Sequence, residues 1–231
     1  MPPRSKASVS SGVDARRSVL LVDDHPFMRA GLAQLINQQR DLCVGGEAGS
    51  PGEALQRVSQ VAPDLVLTDL TMPGRGGLEF IRDLCAARPT LAILVVSMHD
   101  EAVYAERVLR AGARGYIMKE AGGEKLLAAM RRVLAGEVYL SPEMSARILE
   151  NVAARRPRGS SSPIEKLTDR EFEIFQMIGR GQSTRDIAAE LHLSSKTVDV
   201  HRSHLKEKLG LRDSTSLIRH AVRWVETQGE A

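Results

Sequence analysis

Apolar residues follow two rhythms along this chain, and the change from one to the other divides it. In the first half, short runs without a polar break alternate with stretches whose apolar positions recur every three or four residues. Val19-Leu20-Leu21-Val22, Leu65-Val66-Leu67, Ile93-Leu94-Val95-Val96 and Tyr116-Ile117-Met118 are the unbroken runs. Runs of this length and β-branched content, separated by amphipathic stretches, predict parallel strands buried on both faces. The pattern predicts strands over 18–23, 42–48, 65–69, 91–97 and 115–118, and helices near 26–39, 51–61, 77–88, 101–111 and 122–135. Five βα units of this kind make a doubly wound α/β domain of the flavodoxin-like type. Gly136 ends its last helix, and a short helix opened by Ser141-Pro142 runs on to about 154.

Past residue 165 the pattern is helical throughout. Thr168-x-x-Glu171 is a capping box ahead of an apolar stripe of Phe172, Phe175 and Ile178, stopped at Gly179-Arg180-Gly181. Ser183 caps a short helix carrying Ile187, Ala188 and Leu191. Ser194 or Ser195 caps a longer one with Val198, Leu205 and Leu209 inward, ended by Gly210. Asp213 or Ser214 opens a last helix with Leu217, Ile218, Ala221 and Val225 inward. Two helices joined by a tight turn, the second capped by serine, predict a helix-turn-helix whose second helix enters the major groove. The organisation expected is a disordered basic arm over 1–17 and an α/β domain over 18–135. A linker with a short helix follows over 136–164, and an all-α domain over 165–231. Arg155 to Pro163, rich in Pro, Gly and Ser, forms the flexible part of that linker.

Composition narrows the classes. A chain of 231 residues has room for two modest domains. Cys43 and Cys85 form no C-x-x-C pair, which argues against a disulfide scaffold or a cysteine zinc site. No apolar stretch reaches the length of a membrane span, and residues 1–17 lack a signal peptide's apolar core, so a cytoplasmic protein is expected. The net charge of +3 is misleading as a sign of nucleic-acid binding. Its excess lies in the arm, where Arg4, Lys6, Arg16 and Arg17 face only Asp14, and in the linker over 136–164. Locally, however, residues 194–212 carry Lys196, Arg202, Lys206, Lys208 and Arg212 against Asp199 and Glu207. A basic helix inside a neutral domain is the distribution a DNA reader needs.

The predicted strands deliver chemistry to one rim. They end on Asp23-Asp24, Asp69, Ser97 and Lys119, and in such a sheet ligands sit beyond the carboxyl ends of the strands. Singly, these residues have ordinary readings: Asp23-Asp24 as a cap for a helix led by Pro26, Asp69 as a turn residue, Tyr116 as core, Lys119 as a solvated charge. Together at one rim they make a site. Clustered carboxylates repel and need a cation, and Mg²⁺ suits oxygen ligands while keeping several waters. With Lys119 and Ser97 alongside, the site suits a phosphoryl group arriving on Asp69, a transfer that needs mainly positioning and charge neutralisation.

The segments LLVDDHP, PDLVLTDLTMPGRGGLEF, LVVSMHD and GARGYIMKE resemble, in order and spacing, the receiver domain of bacterial two-component response regulators. The stretch LTDREFEIFQMIGRGQSTRDIAAELHLSSKTVDVHRSHLKEKLGL resembles the LuxR-type helix-turn-helix along nearly its whole length. Joined, they are similar to response regulators of the NarL/FixJ family. The resemblance implies Asp69 as phosphoacceptor from a sensor histidine kinase. It implies Mg²⁺ held by Asp23, Asp24, Asp69 and the backbone carbonyl of Thr71. Ser97 and Lys119 bind the phosphoryl group, and Tyr116 is an aromatic switch that turns inward when Ser97 moves. DNA contacts fall around Lys196, Thr197, Asp199, Val200, Arg202, Ser203 and Lys206, with His201 left as a packed residue. The implied function is phosphorylation-controlled binding of double-stranded promoter DNA by a homodimer with its last helix as a dimer contact. The resemblance implies a phosphoacceptor with at most slow self-dephosphorylation, not an enzyme, and no membrane partner. Two departures stand out. Asp199 and Ser203 occupy positions where some members carry lysine; a carboxylate at 199 repels phosphate but accepts from a cytosine amino group. Met98 follows Ser97 where many receivers have a small residue, and its bulk should shield a phosphoryl group from water. An aspartyl-phosphate phosphatase is disfavoured by Thr71, which stands where such enzymes place a second aspartate. A ligand-sensing regulator is disfavoured by an aromatic content of only 3%.

Overall fold

The computed structural model describes residues 16–72, 76–153 and 163–229. The expected arm up to residue 15 and the linker over 154–162 lie outside the described residues. Five strands, β1 (Arg17–Val22), β2 (Leu42–Ala48), β3 (Leu65–Asp69), β4 (Ala92–Ser97) and β5 (Gly115–Met118), alternate with α1 (Pro26–Asn37), α2 (Pro51–Val61), α3 (Gly77–Ala87), α4 (Glu101–Ala111) and α5 (Gly123–Leu134). All pairs are parallel in the order β2-β1-β3-β4-β5. Each strand lies within a residue of its predicted position, and α1, α3 and α5 stop one or two residues early.

Period-two alternation explains the two cores. Val19, Leu21, Leu65, Leu67, Leu94, Val96 and Ile117 face α1 and α5, where Ile36, Leu126, Met130 and Val133 meet them. Leu20, Val22, Val66, Ile93, Val95 and Tyr116 face α2, α3 and α4 through Val58, Phe80, Leu84, Tyr104 and Val108. This second core does not stop at the α/β layer. It continues without a break into Phe172, Phe175, Ile187, Val198, Leu205 and Leu217 of the helical half.

That half follows α6 (Pro142–Ala153) and a 3-10 turn at Pro163–Lys166, and contains α7 (Asp169–Gly179), α8 (Thr184–Glu190), α9 (Ser195–Leu209) and α10 (Ser214–Gly229). Thr168 and Glu171 form the expected capping box, and Ser183 with Asp186 forms a second. Ser194 caps α9, and Gly210 at φ 66° ends it in the left-handed conformation. One expectation is corrected in α10: Ile218, read as inward, is 43% exposed. Leu217, Ala221 and Trp224, at steps of four and three, define the inward stripe, and Ile218 lies about 100° round the helix from it. Among the described residues no helix is long and apolar enough to cross a membrane.

Gly179 marks the tightest approach in this half. A Cβ there would lie 2.5 Å from both the Ala221 carbonyl oxygen and the Val225 side chain. Gly179→Ala is therefore expected to push α7 from α10 and lower stability by about 1–3 kcal/mol in chemical denaturation. A loss within a few tenths of a kcal/mol would show that the helices have room to spare.

Candidate functional site

Parallel register brings the strand ends together: Val22 pairs with Thr68, Asp69 with Val96 and Ser97 with Met118. Asp23, Asp69 and Ser97 are buried at this rim. The Lys119 ammonium sits between two carboxylates, 2.9 Å from Asp23 Oδ2 and 2.7 Å from Asp69 Oδ2. The other oxygens are also engaged. Asp23 Oδ1 accepts from the His25 backbone N–H at 2.8 Å, and Asp69 Oδ1 from that of Thr71 at 3.2 Å. Ser97 Oγ accepts from the His99 backbone N–H at 3.2 Å. Tyr116 is fully buried, and its hydroxyl donates to the His99 carbonyl at 2.7 Å. The aromatic ring expected to turn inward therefore already lies inward.

Burial is the main influence on Asp69 and raises its pKa, with Lys119 pulling the other way. For Lys119, burial pulls the pKa down, but the bonds to Asp23 and Asp69 outweigh it and the ammonium ends above its ordinary value. Both shifts describe a crowded, half-neutralised rim.

The second candidate surface is α9. Lys196, Asp199, Val200 and Ser203 are exposed on one side of it, with Thr197 and Lys206 half-buried at the edges. Thr197 completes the cap, its N–H donating to Ser194 Oγ at 3.0 Å. Arg202 turns back to Thr184 Oγ1 of α8 at 3.3 Å, bracing the two helices of the motif. Lys208 is drawn to Glu171 of α7 at 2.7 Å, so one charge of the basic cluster is tied within the domain.

Comparison with known proteins decides the family. The profile of the response regulator receiver domain matches residues 19–131, and that of the bacterial regulatory proteins of the luxR family matches 165–221. The oxygen regulatory protein NreC of Staphylococcus carnosus (strain TM300) is 34% identical over 209 residues, covering 89% of this chain and 96% of its own length. NreC of Staphylococcus aureus (strain MRSA252) is 35% identical over the same shares. The chain belongs to the NarL/FixJ family of two-component response regulators. Among solved structures, a LuxR-family response regulator from Aurantimonas sp. SI85-9A1 covers 60% of this chain at TM-score 0.56 and 34% identity, using 99% of its own length. RcsB from Salmonella enterica serovar Typhimurium, solved on promoter rprA with the phosphomimetic BeF3-, covers 90% of this chain and 99% of its own at TM-score 0.72. At 23% identity it speaks for the fold alone. This response regulator thus has a receiver and a LuxR-type DNA-binding domain and is a DNA-binding transcription regulator. Its family consists of phosphoaccepting regulators, not classical enzymes.

In this regulator the two halves meet through contacts that the sequence did not announce, centred on His99, Tyr104 and Arg107. Thr71 Oγ1 is 2.6 Å from His99 Nε2, and the His99 ring stacks on Tyr104 with centroids 4.9 Å apart. Burial, the largest cause, pulls the His99 pKa down to about 4, so the ring is neutral at physiological pH. Tyr104 meets Phe172 edge-on at 5.2 Å, and its hydroxyl bonds the Gln176 amide of α7. Arg107 of α4 is buried and spans the junction. Its guanidinium donates to the carbonyls of Leu167 (2.9 Å) and Ile164 (2.8 Å), reaches Asp169 at 3.2 Å, and lies 4.3 Å over the Phe172 ring. Gly76 admits Glu173 where a Cβ would collide with its carboxylate. One signal was available: Tyr104, Arg107, Val108 and Ala111 share the buried stripe of α4, and Arg107 is a charge within that stripe.

The rim fits a hard divalent cation. Ligand atoms of Asp23, Asp24, His25 and Asp69 all lie within 4.8 Å of one another. Asp24 Oδ1 is buried without a hydrogen bond; His25 Nδ1 approaches it at 2.9 Å but out of line. An orphaned carboxylate oxygen beside two further acids, with one ammonium between them, is a donor set for Mg²⁺. His25 was not expected here, and a hard ion has least use for its imidazole. Because burial dominates at Asp69, Asp69→Asn is expected to raise the melting temperature of the metal-free protein near neutral pH. Added Mg²⁺ should stabilise the wild type more than the variant. The folded pKa of Asp69 lies above the unfolded value, so its ionisation costs no stability below the unfolded pKa. The penalty grows as pH rises towards the folded value, and the variant's advantage should vanish in acid. A metal-free Asn variant less stable than wild type at neutral pH would contradict this balance.

Proposed function

We propose that this protein is a phosphorylation-controlled transcription regulator in which Asp69 accepts a phosphoryl group from a sensor histidine kinase. The observation that carries the reading is the Lys119 ammonium held between Asp23 and Asp69 at the strand ends, with Ser97 on the neighbouring strand. The proposal divides the chain into a receiver over 18–135, a linker over 136–164 and a DNA-binding domain over 165–231, with 1–17 as an arm.

In the proposed step the phosphorus–nitrogen bond of the donor's phosphohistidine breaks and a bond from a carboxylate oxygen of Asp69 to phosphorus forms. Asp23, Asp24, Asp69 and the Thr71 carbonyl would hold Mg²⁺, which neutralises the charge gathered on the phosphoryl oxygens. Lys119 leaves the Asp69 carboxylate for a phosphoryl oxygen. Ser97 Oγ moves to donate its hydroxyl hydrogen to another, and that movement draws it away from the His99 N–H it now accepts from. Tyr116 is already inward, so the transmitted change runs through the segment carrying His99. Thr71 grips the His99 ring, Tyr116 its carbonyl, and Tyr104 its face. A shift there alters the seat of α7 on α4 and moves the population between docked and released arrangements.

The released domain would bind promoter DNA through Lys196, Thr197, Asp199, Val200, Arg202, Ser203 and Lys206. Two half-sites favour a two-fold protein. The exposed Ile218 on the outer side of α10 supports that helix as a dimer contact. A cytoplasmic setting, where kinase and promoter are both within reach, agrees with this role.

Intact-protein mass after incubation with acetyl phosphate and Mg²⁺ tests the reading. A single phosphoryl adduct is expected in wild type and not in Asp69→Ala, together with tighter promoter binding by the adduct alone. An adduct that persists in the variant would remove Asp69 from this role.

A further inference from the structure

Away from the receiver rim, the DNA-binding domain gathers a second set of metal-ligating side chains. Glu171 from the first turn of α7 meets His201 and His204 from α9, each offering a ligand atom, all within 4.8 Å of one another. Helical spacing of three puts both histidines on one face, with ring centroids 6.4 Å apart and edges towards faces. Glu171 is buried and its two oxygens differ. Oε2 accepts from the Thr168 N–H at 2.8 Å and from Lys208 Nζ at 2.7 Å. Oε1 has His204 Nδ1 at 3.8 Å, too far for a hydrogen bond. His201 Nδ1 is buried with no hydrogen-bond partner. The cluster thus combines an imidazole with a buried, unpartnered nitrogen, a carboxylate with one oxygen lacking a close donor, and a second imidazole. The His204 side chain is 52% exposed, which leaves the cluster open to solvent.

We propose that Glu171, His201 and His204 form a binding site for a divalent transition-metal ion of the zinc type, bridging α7 and the recognition helix α9. Two imidazoles and a carboxylate are a donor set for Zn²⁺, with water completing the tetrahedron on the exposed side. Mg²⁺ is disfavoured because it takes oxygen ligands and dehydrates reluctantly. Oε2 keeps the capping bond to Thr168, so the ion takes Oε1 without unwinding α7. The Lys208 ammonium is the opposing element. It sits on the same carboxylate and repels a dication, which makes the site weaker than one without it.

The test is Zn²⁺ titration of the full-length protein in excess Mg²⁺, followed by calorimetry, with Co²⁺ absorption in the visible as a spectroscopic stand-in. The expected result is one ion per chain with tetrahedral Co²⁺ bands. His204→Ala, a half-exposed position that should not disturb folding, is expected to weaken binding by roughly tenfold or more. Glu171→Gln, which keeps a capping acceptor, should do the same. Lys208→Met should tighten it, and Asp69→Asn should leave it unchanged. Absence of binding in wild type, or binding that survives His204→Ala, would overturn the proposal. So would Zn²⁺ affinity lost in Asp69→Asn, which would place the ion at the receiver rim.

Discussion

One ammonium makes the receiver rim possible. Asp23 and Asp69 are both buried, and like charges so close can ionise together only with a cation between them. Lys119 provides that charge from the end of β5. The strand order that places β1 beside β3, and β5 two strands beyond, is what brings this ammonium to both carboxylates. The compensation is incomplete. One ammonium faces the carboxylates of Asp23, Asp24 and Asp69, an Asp24 oxygen has no hydrogen bond, and Asp69 remains raised in pKa. A rim short of positive charge fits a hard divalent cation.

The second dependence is continuity of the core. Tyr104, Phe172 and Trp224 are in mutual ring contact across the junction, with Phe175 behind Trp224, so the DNA-binding domain rests on the sheet's own hydrophobic layer. Arg107 secures that junction by satisfying two backbone carbonyls and Asp169 while its face covers Phe172. An apolar contact gives affinity but little direction; a buried guanidinium with fixed acceptors gives both orientation and register. Thr71 and His99 tie this junction to the residues beside Asp69. The two domains are thus joined through a short run of bonded groups that leads from the junction to the rim.

Much of this was legible in the chain because the governing signals are local. Unbroken runs such as Leu20-Leu21-Val22 read as buried strands. Ser183 and Ser194 announce helix starts through the backbone donors they accept from, and acids that end strands read as a site. What escaped depends on partners distant in sequence. Arg107 meets Leu167 across sixty residues and Tyr104 meets Gln176 across seventy-two, and no periodicity encodes which face of α4 will receive α7. Ile218 was assigned inward because an apolar residue beside a stripe is hard to tell from one within it; the four- and three-residue steps through Trp224 decide the matter. The inward position of Tyr116 is a rotamer held by the His99 carbonyl, a contact set by tertiary structure. His25 carries no signal of its own in the sequence, and its place directly after Asp24 brings it to the rim.

Trp224 is the chain's single tryptophan, and it lies at the junction against Phe172 and Tyr104. Its emission, followed while acetyl phosphate and Mg²⁺ are added, reports directly on whether chemistry at Asp69 reaches the DNA-binding domain. A change in intensity and wavelength that tracks phosphoryl incorporation, and is absent in Asp69→Ala, is the result expected. Full phosphorylation with unchanged Trp224 emission would contradict the account, because the junction would then be insensitive to the rim.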